Sequence, residues 1–203
     1  MELLDALQAR RSIRKFKPDP VSDECLKELL EAASLAPSAS NLQPARYIIV
    51  KSPEARAKLN DCTPLSFVTK APVTIICCAD SSVLSESGQR FKELKESGAF
   101  FDTPLNDVSP DEYASRRREM DEAAMKAYLN LNAAIAIDHI TLRAVDLGLG
   151  SCWIGMFDQD KVKKSFGIDE PYRVIALLPI GYPDQDPTRR PRVGSQKILL
   201  QEL

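Results

Sequence analysis

Residues 121–155 read DEAAMKAYLNLNAAIAIDHITLRAVDLGLGSCWIG, and this stretch decides the fold. Apolar residues recur at helical spacing over residues 121–147, and Gly148 then supplies the stop that ends a helix. The second half of this helix is apolar on most sides, which is typical of a helix at the centre of a protein or in a subunit interface. The segment CWI at 152–154 predicts that a strand follows.

Helices and strands alternate on both sides of this stretch. Helices are predicted at residues 2–9, after the cap Ser22 as far as Pro37, after the cap Ser52, and from Asp158 to Gly167. Strands are predicted at residues 47–50, 73–78 and 174–180, and the first two of these strands are expected to be buried. Residues 81–118 are polar and irregular, so we expect a long functional or disordered loop, with room for a short helix of its own. Residues 197–200 (KILL) could pair as an edge strand. The irregular spacing and the helical N-terminal part favour an α+β sandwich over a doubly wound sheet.

The composition limits the classes of function. A chain of 203 residues fits one domain, here predicted to span residues 1–203. Its 27 basic and 29 acidic residues give a net charge of −2, which predicts no general attraction to nucleic acid or to an anionic membrane. No apolar run reaches the roughly 18 residues of a membrane helix, and acids stand where a secretory signal would be basic. We therefore expect a cytoplasmic protein.

The side chains that could catalyse without a cofactor are few. Five cysteines without a Cys-x-x-Cys pair, and a single histidine, are typical of reduced thiols and argue against a standard metal or iron–sulfur site. His139 follows Asp138 on the long helix, where adjacent residues do not face each other, so a structural histidine is predicted. Cys77 and Cys78 lie in an apolar strand and should behave as small hydrophobic residues.

Two basic clusters are candidates for binding an anion. Residues 10–15 (RRSIRK) place four cations and a hydroxyl after a short helix, and residues 189–192 (RRPR) form the second cluster. A guanidinium can donate two parallel hydrogen bonds to a phosphate. Taken alone, each cluster is more commonly a solvated basic surface, since cations are favoured at a helix C-terminus. A nucleic-acid patch is disfavoured by the net charge and by the lack of interleaved aromatic residues.

Two further motifs are suited to close contact with a ligand. The turn at 36–44 (APSASNLQP) offers serine and asparagine side chains that bind either a ligand or their own backbone. The segment at 148–155 (GLGSCWIG) is no dinucleotide fingerprint, because Trp153 replaces the third glycine and the glycines close a helix instead of opening one. It is a bend of small residues whose backbone N–H groups can approach a flat ligand.

In their order along the chain, these motifs resemble the nitroreductase family. The resemblance rests on residues 10–14, 36–44 and 148–155 and on Gly181-Tyr182-Pro183 with the arginines after it; it spans residues 2–192 and is weakest over 81–118. It implies an α+β fold with a mostly antiparallel sheet, in an intertwined homodimer that binds FMN at its interface. Where many members carry an aromatic, a basic residue and a glycine, this chain has Ala45, Pro187 and Met156.

The resemblance also implies a role for each motif. Arg10, Arg11 and Ser12 would hold the FMN phosphate and ribityl chain with Arg189 and Arg190; Arg14 would lie near the pyrimidine edge; Ser38, Ala39 and Asn41 would come from the partner subunit; and the backbone N–H groups of Ile154 and Gly155 would face the flavin near N5. No side chain is predicted to be catalytic beyond the support that Arg14 gives to the reduced flavin, since an arginine keeps its charge. No metal is expected.

The implied reaction takes a hydride from NADH or NADPH and passes electrons to a nitroaromatic, quinone or similar acceptor, with the flavin carrying the chemistry. Residues 81–118 are then a candidate substrate lid, and residues 193–203 a tail exchanged between subunits. Two alternatives stay open. A flavin-binding carrier or sensor would need no acid–base pair, and an anion- or nucleic-acid-binding module would need only the two basic clusters.

Overall fold

A computed structural model describes the backbone of all 203 residues and every side chain except that of Arg118. The helices are α1 (Leu3–Ala9), α2 (Asp23–Ser34), α3 (Pro53–Ala57), α4 (Phe67–Lys70), α5 (Ser87–Glu96), α6 (Pro110–Arg118), α7 (Glu122–Asp146), α8 (Gln159–Phe166) and α9 (Ser195–Ile198). The strands are β1 (Ala45–Val50), β2 (Val73–Asp80), β3 (Gly150–Ser151) and β4 (Tyr172–Gly181). Short 3₁₀ turns cover Ala39–Asn41, Lys58–Asp61, Ser82–Glu86 and Pro104–Asp107.

The four strands form one antiparallel sheet in the order β1-β2-β4-β3. Side chains of β2 and β4 alternate between its faces: Ile75 and Leu178 pack toward α2 and α7, whereas Ile76 and Leu177 pack toward the layer that contains α8. Helices therefore cover both faces of the sheet, and the predicted α+β sandwich is confirmed. The predicted burial of the first strand is wrong, because β1 lies at the sheet edge and is only half-buried.

The long helix α7 crosses one face of the sheet, as its pattern predicts. The Asp121 side chain caps it by accepting a hydrogen bond from the Ala124 N–H at 2.7 Å, and the left-handed Gly148 follows its end. Ile137 and Ile140 are fully buried against the sheet and α2. Their burial contributes about 1.5–3 kcal/mol each. This packing makes α7 the support against which the sheet and α2 are assembled.

The strand predicted at 152–154 lies instead at Gly150–Ser151, and residues 152–154 form no regular strand. The Cys152 N–H donates to the Pro179 carbonyl at 3.2 Å, but proline has no N–H to return the bond. The ladder therefore breaks at Cys152 and resumes for a single pair, in which Ile154 and Leu177 exchange both backbone hydrogen bonds. The segment still runs beside β4, although only Gly150–Ser151 forms regular strand.

Residues 81–118 are largely helical, so the expectation of an irregular loop is wrong. The helices α5 and α6 pack against each other around Phe91, which is fully buried. The Phe91 ring stacks on Phe100 with centroids 4.9 Å apart and on Tyr113 at 4.1 Å. Three aromatic rings far apart in sequence thus supply a small core that a local hydrophobic pattern does not reveal.

The C-terminal tail forms no edge strand within its own chain, and its pairing with a second subunit stays a prediction. Residues Ser195–Ile198 form one helical turn, and the side chains of Ile198, Leu199 and Leu200 are exposed. The sheet edge at β3 is already occupied, because Ser12 pairs with Ser151 there in a parallel bridge. Within one chain this edge leaves no room for the tail.

Gly150 provides a test of the contact between the N-terminal segment and β3. A Cβ atom at this position would lie 2.5 Å from Cγ1 of Ile13, whereas a Cβ at Gly194 would meet no atom within 4 Å. We expect Gly150→Ala to lower the free energy of unfolding by about 1–3 kcal/mol, as overpacking does. Gly194→Ala is the control and should change it by less than about 0.5 kcal/mol. Urea unfolding measures both, and equal stabilities would contradict the contact.

Candidate functional site

The N-terminal segment is held against the sheet by backbone hydrogen bonds. The Ile13 N–H donates to the Ser151 carbonyl at 2.9 Å, and the Lys17 N–H donates to the Tyr182 carbonyl at 2.8 Å. The missing side chain at Gly150 allows this approach, since any Cβ would collide with Ile13. The basic motif at 10–14 thus lies beside the glycine-rich segment and close to the turn that follows β4.

A pocket of about 130 Å³ collects both basic clusters. Its lining residues are Leu7, Gln8, Arg10, Arg11, Ser12, Arg14, Pro187, Thr188, Arg189, Arg190 and Arg192. None of them is acidic, and no ion pair among the described side chains involves any of these six arginines. Like charges held this close repel one another, so the pocket favours an anion that can accept several hydrogen bonds.

The thiol of Cys152 adjoins this pocket without taking part in chemistry. Burial raises its pKa, while Arg14, Ser12 and Arg10 offset that rise only in part. Burial also raises the pKa of Cys78 to about 11. Both thiols are therefore protonated at neutral pH and are poor nucleophiles, as expected for Cys78 within an apolar strand.

The turn at 36–44 has an unusual backbone. Ser40, Asn41 and Gln43 all have left-handed conformations, with φ of 54°, 53° and 48°. Each costs about 1–2 kcal/mol in a residue with a side chain. The Gln43 N–H donates to Ser38 Oγ at 2.9 Å, and the Gln43 amide donates to Asn41 Oδ1 at 2.9 Å. In these bonds Ser38 Oγ and Asn41 Oδ1 are the acceptors. The Ser38 hydroxyl hydrogen and the Asn41 amide hydrogens therefore stay available to a ligand.

Within one chain, the turn and the basic pocket are separate. The turn borders a different cavity of about 350 Å³, and no residue of 36–44 lines the basic pocket. The structure therefore brings together three of the four motifs: residues 10–14, 148–155 and the arginines after Gly181-Tyr182-Pro183. Whether Ser38, Ala39 and Asn41 complete the site from a second subunit stays a prediction.

The backbone of the glycine-rich segment requires one correction. The Ile154 N–H donates to the Leu177 carbonyl at 2.9 Å, so it is not free to face a flavin. The N–H groups of Gly155 and Met156, by contrast, have no acceptor among the described residues. A Cβ at Gly155 would also meet no atom within 4 Å, so a ligand can approach closely there. The free donors are therefore one residue further along than predicted.

Two polar groups that the sequence analysis did not single out lie beside Gly155. A pocket of about 380 Å³ is lined by Asn130, Trp153, Gly155 and Arg173, among others. In the described part of the chain, Asn130 Oδ1 and Arg173 Nε are buried without a hydrogen-bond partner. The sequence offered two signals for these groups. Asn130 is a polar residue within the apolar helix α7, and Arg173 is a charged residue at the start of β4.

His139 has the structural role that the sequence predicts. The Nδ1 atom of His139 lies 3.2 Å from the Ala32 carbonyl, so this ring links α7 to α2 as a structural histidine. The described histidine, cysteine and acidic side chains form no cluster of three or more that could hold a metal ion.

Among the described residues, no helix combines the length and the apolar character that crossing a membrane requires.

Comparison with known proteins shows the family. The sequence pattern described as the nitroreductase family matches residues 7–182. The chain belongs to the nitroreductase family. It is similar to an NADH dehydrogenase of Thermus thermophilus, with 29% identity over 212 residues that cover 98% of this chain and 97% of that protein.

This member of the nitroreductase family has further relatives of differing chemistry. It is 30% identical over 187 residues to a 5,6-dimethylbenzimidazole synthase of Rhodospirillum rubrum, covering 90% of this chain and 83% of that one. Its fold matches a protein of Exiguobacterium sibiricum solved in complex with FMN, with a TM-score of 0.85 and 21% identity over 100% of this chain and 98% of that one. The resemblance drawn from the four motifs is confirmed.

The basic pocket of this nitroreductase-family protein should bind inorganic phosphate. At ten times its Kd, phosphate should raise the free energy of unfolding by about 1.4 kcal/mol, because only the folded chain holds the arginines together. Replacing Arg10 and Arg189 with alanine should abolish this gain, whereas Lys51→Ala, which removes an exposed charge paired with Asp23, should not. Thermal unfolding at matched ionic strength measures the gain. Equal stabilisation of all variants would contradict the site.

Proposed function

We propose that the protein is an FMN-dependent oxidoreductase that takes electrons from NADH or NADPH. The observation that carries this proposal is the pocket of six arginines without a counter-ion among the described side chains, in which Ser12 pairs with Ser151 of the segment that leads to the free N–H groups of Gly155 and Met156. A phosphate group fits the first part, and a flat heterocycle fits the second. The relative named NADH dehydrogenase and the FMN-bound structure support the same assignment.

The residues present fit FMN in chemistry as well as in position along the chain. Arg10, Arg11 and Ser12, with Arg189 and Arg190, would bind the phosphate, where guanidinium groups match its oxygens. Arg14 is exposed and makes only a long 3.4 Å bond to the Ser12 carbonyl, so its charge is free to face the ring. Asn130 and Arg173, whose Oδ1 and Nε atoms are buried without a hydrogen-bond partner among the described residues, line the pocket beside Gly155.

FMN, when bound, supplies the acceptance and donation of a hydride, so the chain need not supply a reactive side chain. The protein itself would contribute in three ways. The arginines hold the phosphate, the Gly155 and Met156 N–H groups orient the ring, and the permanent charge of Arg14 stabilises the negative charge gained on reduction.

We also propose a homodimer in which Ser38, Ala39 and Asn41 of one subunit complete the site of the other. The turn that holds them presents free donors but lies apart from the basic pocket of its own chain. Exposed apolar side chains supply a surface for association: Leu3, Leu4 and Leu7 of α1 and Ile198, Leu199 and Leu200 of the tail. The tail at 193–203 would then pack on the partner.

A carrier or sensor that binds flavin without turnover is the second candidate. The observation in its favour is that the pocket of about 380 Å³ beside Gly155 has no acid or imidazole among its described lining residues. A second pocket, of about 570 Å³, that Gly155 and Met156 also line does contain Asp61 and Asp158. Flavin chemistry does not require such a group, so this lack fits both candidates. Steady-state oxidation of NADH or NADPH separates them, since a carrier reduces its flavin at most once.

FMN binding and turnover test the proposal together. The purified protein should bind FMN and oxidise NADH or NADPH in the presence of a quinone or nitroaromatic. Arg14→Ala should weaken FMN binding about 10- to 100-fold, the loss expected for a charge-assisted hydrogen bond. Lys164→Ala, an exposed residue of α8, is the control and should leave binding unchanged. A protein that neither binds FMN nor consumes NAD(P)H with it would refute the assignment.

The groove between α5 and α6 is proposed as the acceptor site within the lid at 81–118. It has a volume of about 790 Å³ and is lined by Leu84 and Met125 together with Lys92 and Arg117. Leu84→Trp should fill the groove and raise the KM for a bulky acceptor about tenfold, while the Kd for FMN stays within twofold. Acceptor kinetics at saturating NADH measure this. An unchanged KM for every acceptor tried would show that the acceptor binds elsewhere.

A further inference from the structure

The lid is bonded directly to the turn that holds Ser38, Ala39 and Asn41. The Tyr113 hydroxyl of α6 forms a hydrogen bond with Ser40 Oγ. Arg117, one helical turn further along α6, donates to the same Tyr113 hydroxyl at 2.7 Å. Either hydroxyl can be the donor in the bond between Tyr113 and Ser40, and the Tyr113 oxygen can accept from Arg117 in both cases.

The Arg117 guanidinium is itself fixed by aromatic rings. Its central carbon lies 5.2 Å from the Tyr113 ring centroid and 4.5 Å from that of Tyr128. Tyr128, on α7, donates from its hydroxyl to the Ala39 carbonyl at 3.2 Å. Arg117 therefore holds two tyrosines, and each tyrosine bonds to the turn.

A third side chain restrains the same turn from the buried face of α7. The Ala39 N–H donates to Asn132 Oδ1 at 2.6 Å, and the Asn132 amide donates to the Tyr128 carbonyl at 2.7 Å. Asn132 is buried, so this bond is shielded from water. The left-handed residues Ser40 and Asn41 would relax toward other conformations without such restraint.

We propose that Tyr113, held by Arg117, is a positioning residue that sets the turn at 38–41 for the flavin site of the partner subunit. The substrate lid and the cofactor site are then coupled across the dimer: movement of α6 in one subunit alters FMN contacts in the other. This inference rests on the proposed FMN site. It also revises the role of the lid, since altering α6 should change cofactor binding as well as acceptor preference.

Tyr113→Phe is the central variant, because it removes one hydroxyl and keeps the ring stacked on Phe91. The variant removes the half-buried bond to Ser40 and the bond that Arg117 donates. We expect the Kd for FMN to rise about 5- to 10-fold, the loss expected for the bond that reaches the turn, with the melting temperature of the flavin-free protein within about 3 °C of wild type. Ser40→Ala should have the same effect, and the double variant should lose no more than either single one. Tyr172→Phe, at the exposed start of β4, is the matched control. An unchanged Kd in Tyr113→Phe overturns the proposal.

Mixed dimers test whether the coupling crosses the interface. One chain carries Arg10→Ala and Arg14→Ala, and the other carries Tyr113→Phe. In such a dimer, one of the two sites combines native arginines with a turn held by a native Tyr113, so half of the sites should bind FMN at the wild-type affinity. If Tyr113 acts on the site of its own chain, no wild-type sites appear and the proposal is overturned.

Hydrogen exchange of the flavin-free protein separates failure of this inference from failure of the proposed function. Amides of residues 39–43 should exchange faster in Tyr113→Phe and Ser40→Ala than in wild type and Tyr172→Phe. Unchanged exchange overturns the positioning role even if FMN binds. If wild type binds no FMN, the proposed function fails, and with it the flavin part of this inference, whatever the exchange shows.

Discussion

The close contact between residues 12–17 and the ends of β3 and β4 is the constraint on which the site depends. One bond joins the Ile13 N–H to the Ser151 carbonyl, and another joins the Lys17 N–H to the Tyr182 carbonyl. Gly150 permits the contact because no Cβ intrudes. Without it, the arginines of the N-terminal motif would not face those after β4, and the chain would carry two solvated basic clusters in place of one pocket.

The pocket formed in this way holds charge that the protein does not neutralise. Elsewhere among the described side chains, ten lysines and arginines pair with a carboxylate: Lys15, for example, pairs with Asp184 at 2.6 Å, and Arg46 pairs with Asp80 at 3.0 Å. The six arginines of the pocket have no such pair among the described side chains. Gathering them costs free energy through repulsion, which a bound phosphate would offset. The specificity of this site for a larger ligand would come from the N–H groups of Gly155 and Met156 and from the turn at 36–44 of the partner subunit.

Much of the fold could be predicted from the sequence, because local signals agree with it. Asp121 and Gly148 bound α7 as predicted, and the apolar runs of β2 and β4 mark the centre of the sheet. The errors have non-local causes. Pro179, on another strand, breaks the ladder at Cys152, and the small core that holds α5 against α6 comes from Phe91 stacked on Phe100 and Tyr113.

The site was less accessible to sequence analysis than the fold. The motifs predicted which residues gather, but the use of the Ile154 N–H by Leu177 depends on strand pairing, which shifts the free donors to Gly155 and Met156. The orphaned Asn130 and Arg173 are noticeable only once burial is known. The bond from Tyr113 to Ser40 joins residues 73 positions apart, and no local pattern indicates it.

The central claim is that two chains together form each flavin site. Sedimentation velocity of the protein mixed with FMN, followed by the visible absorbance of the flavin, tests this claim most directly. The account predicts that flavin sediments only with a dimer, at two FMN per dimer. Flavin that sediments with a monomer, or that remains unbound at saturating protein, would contradict it.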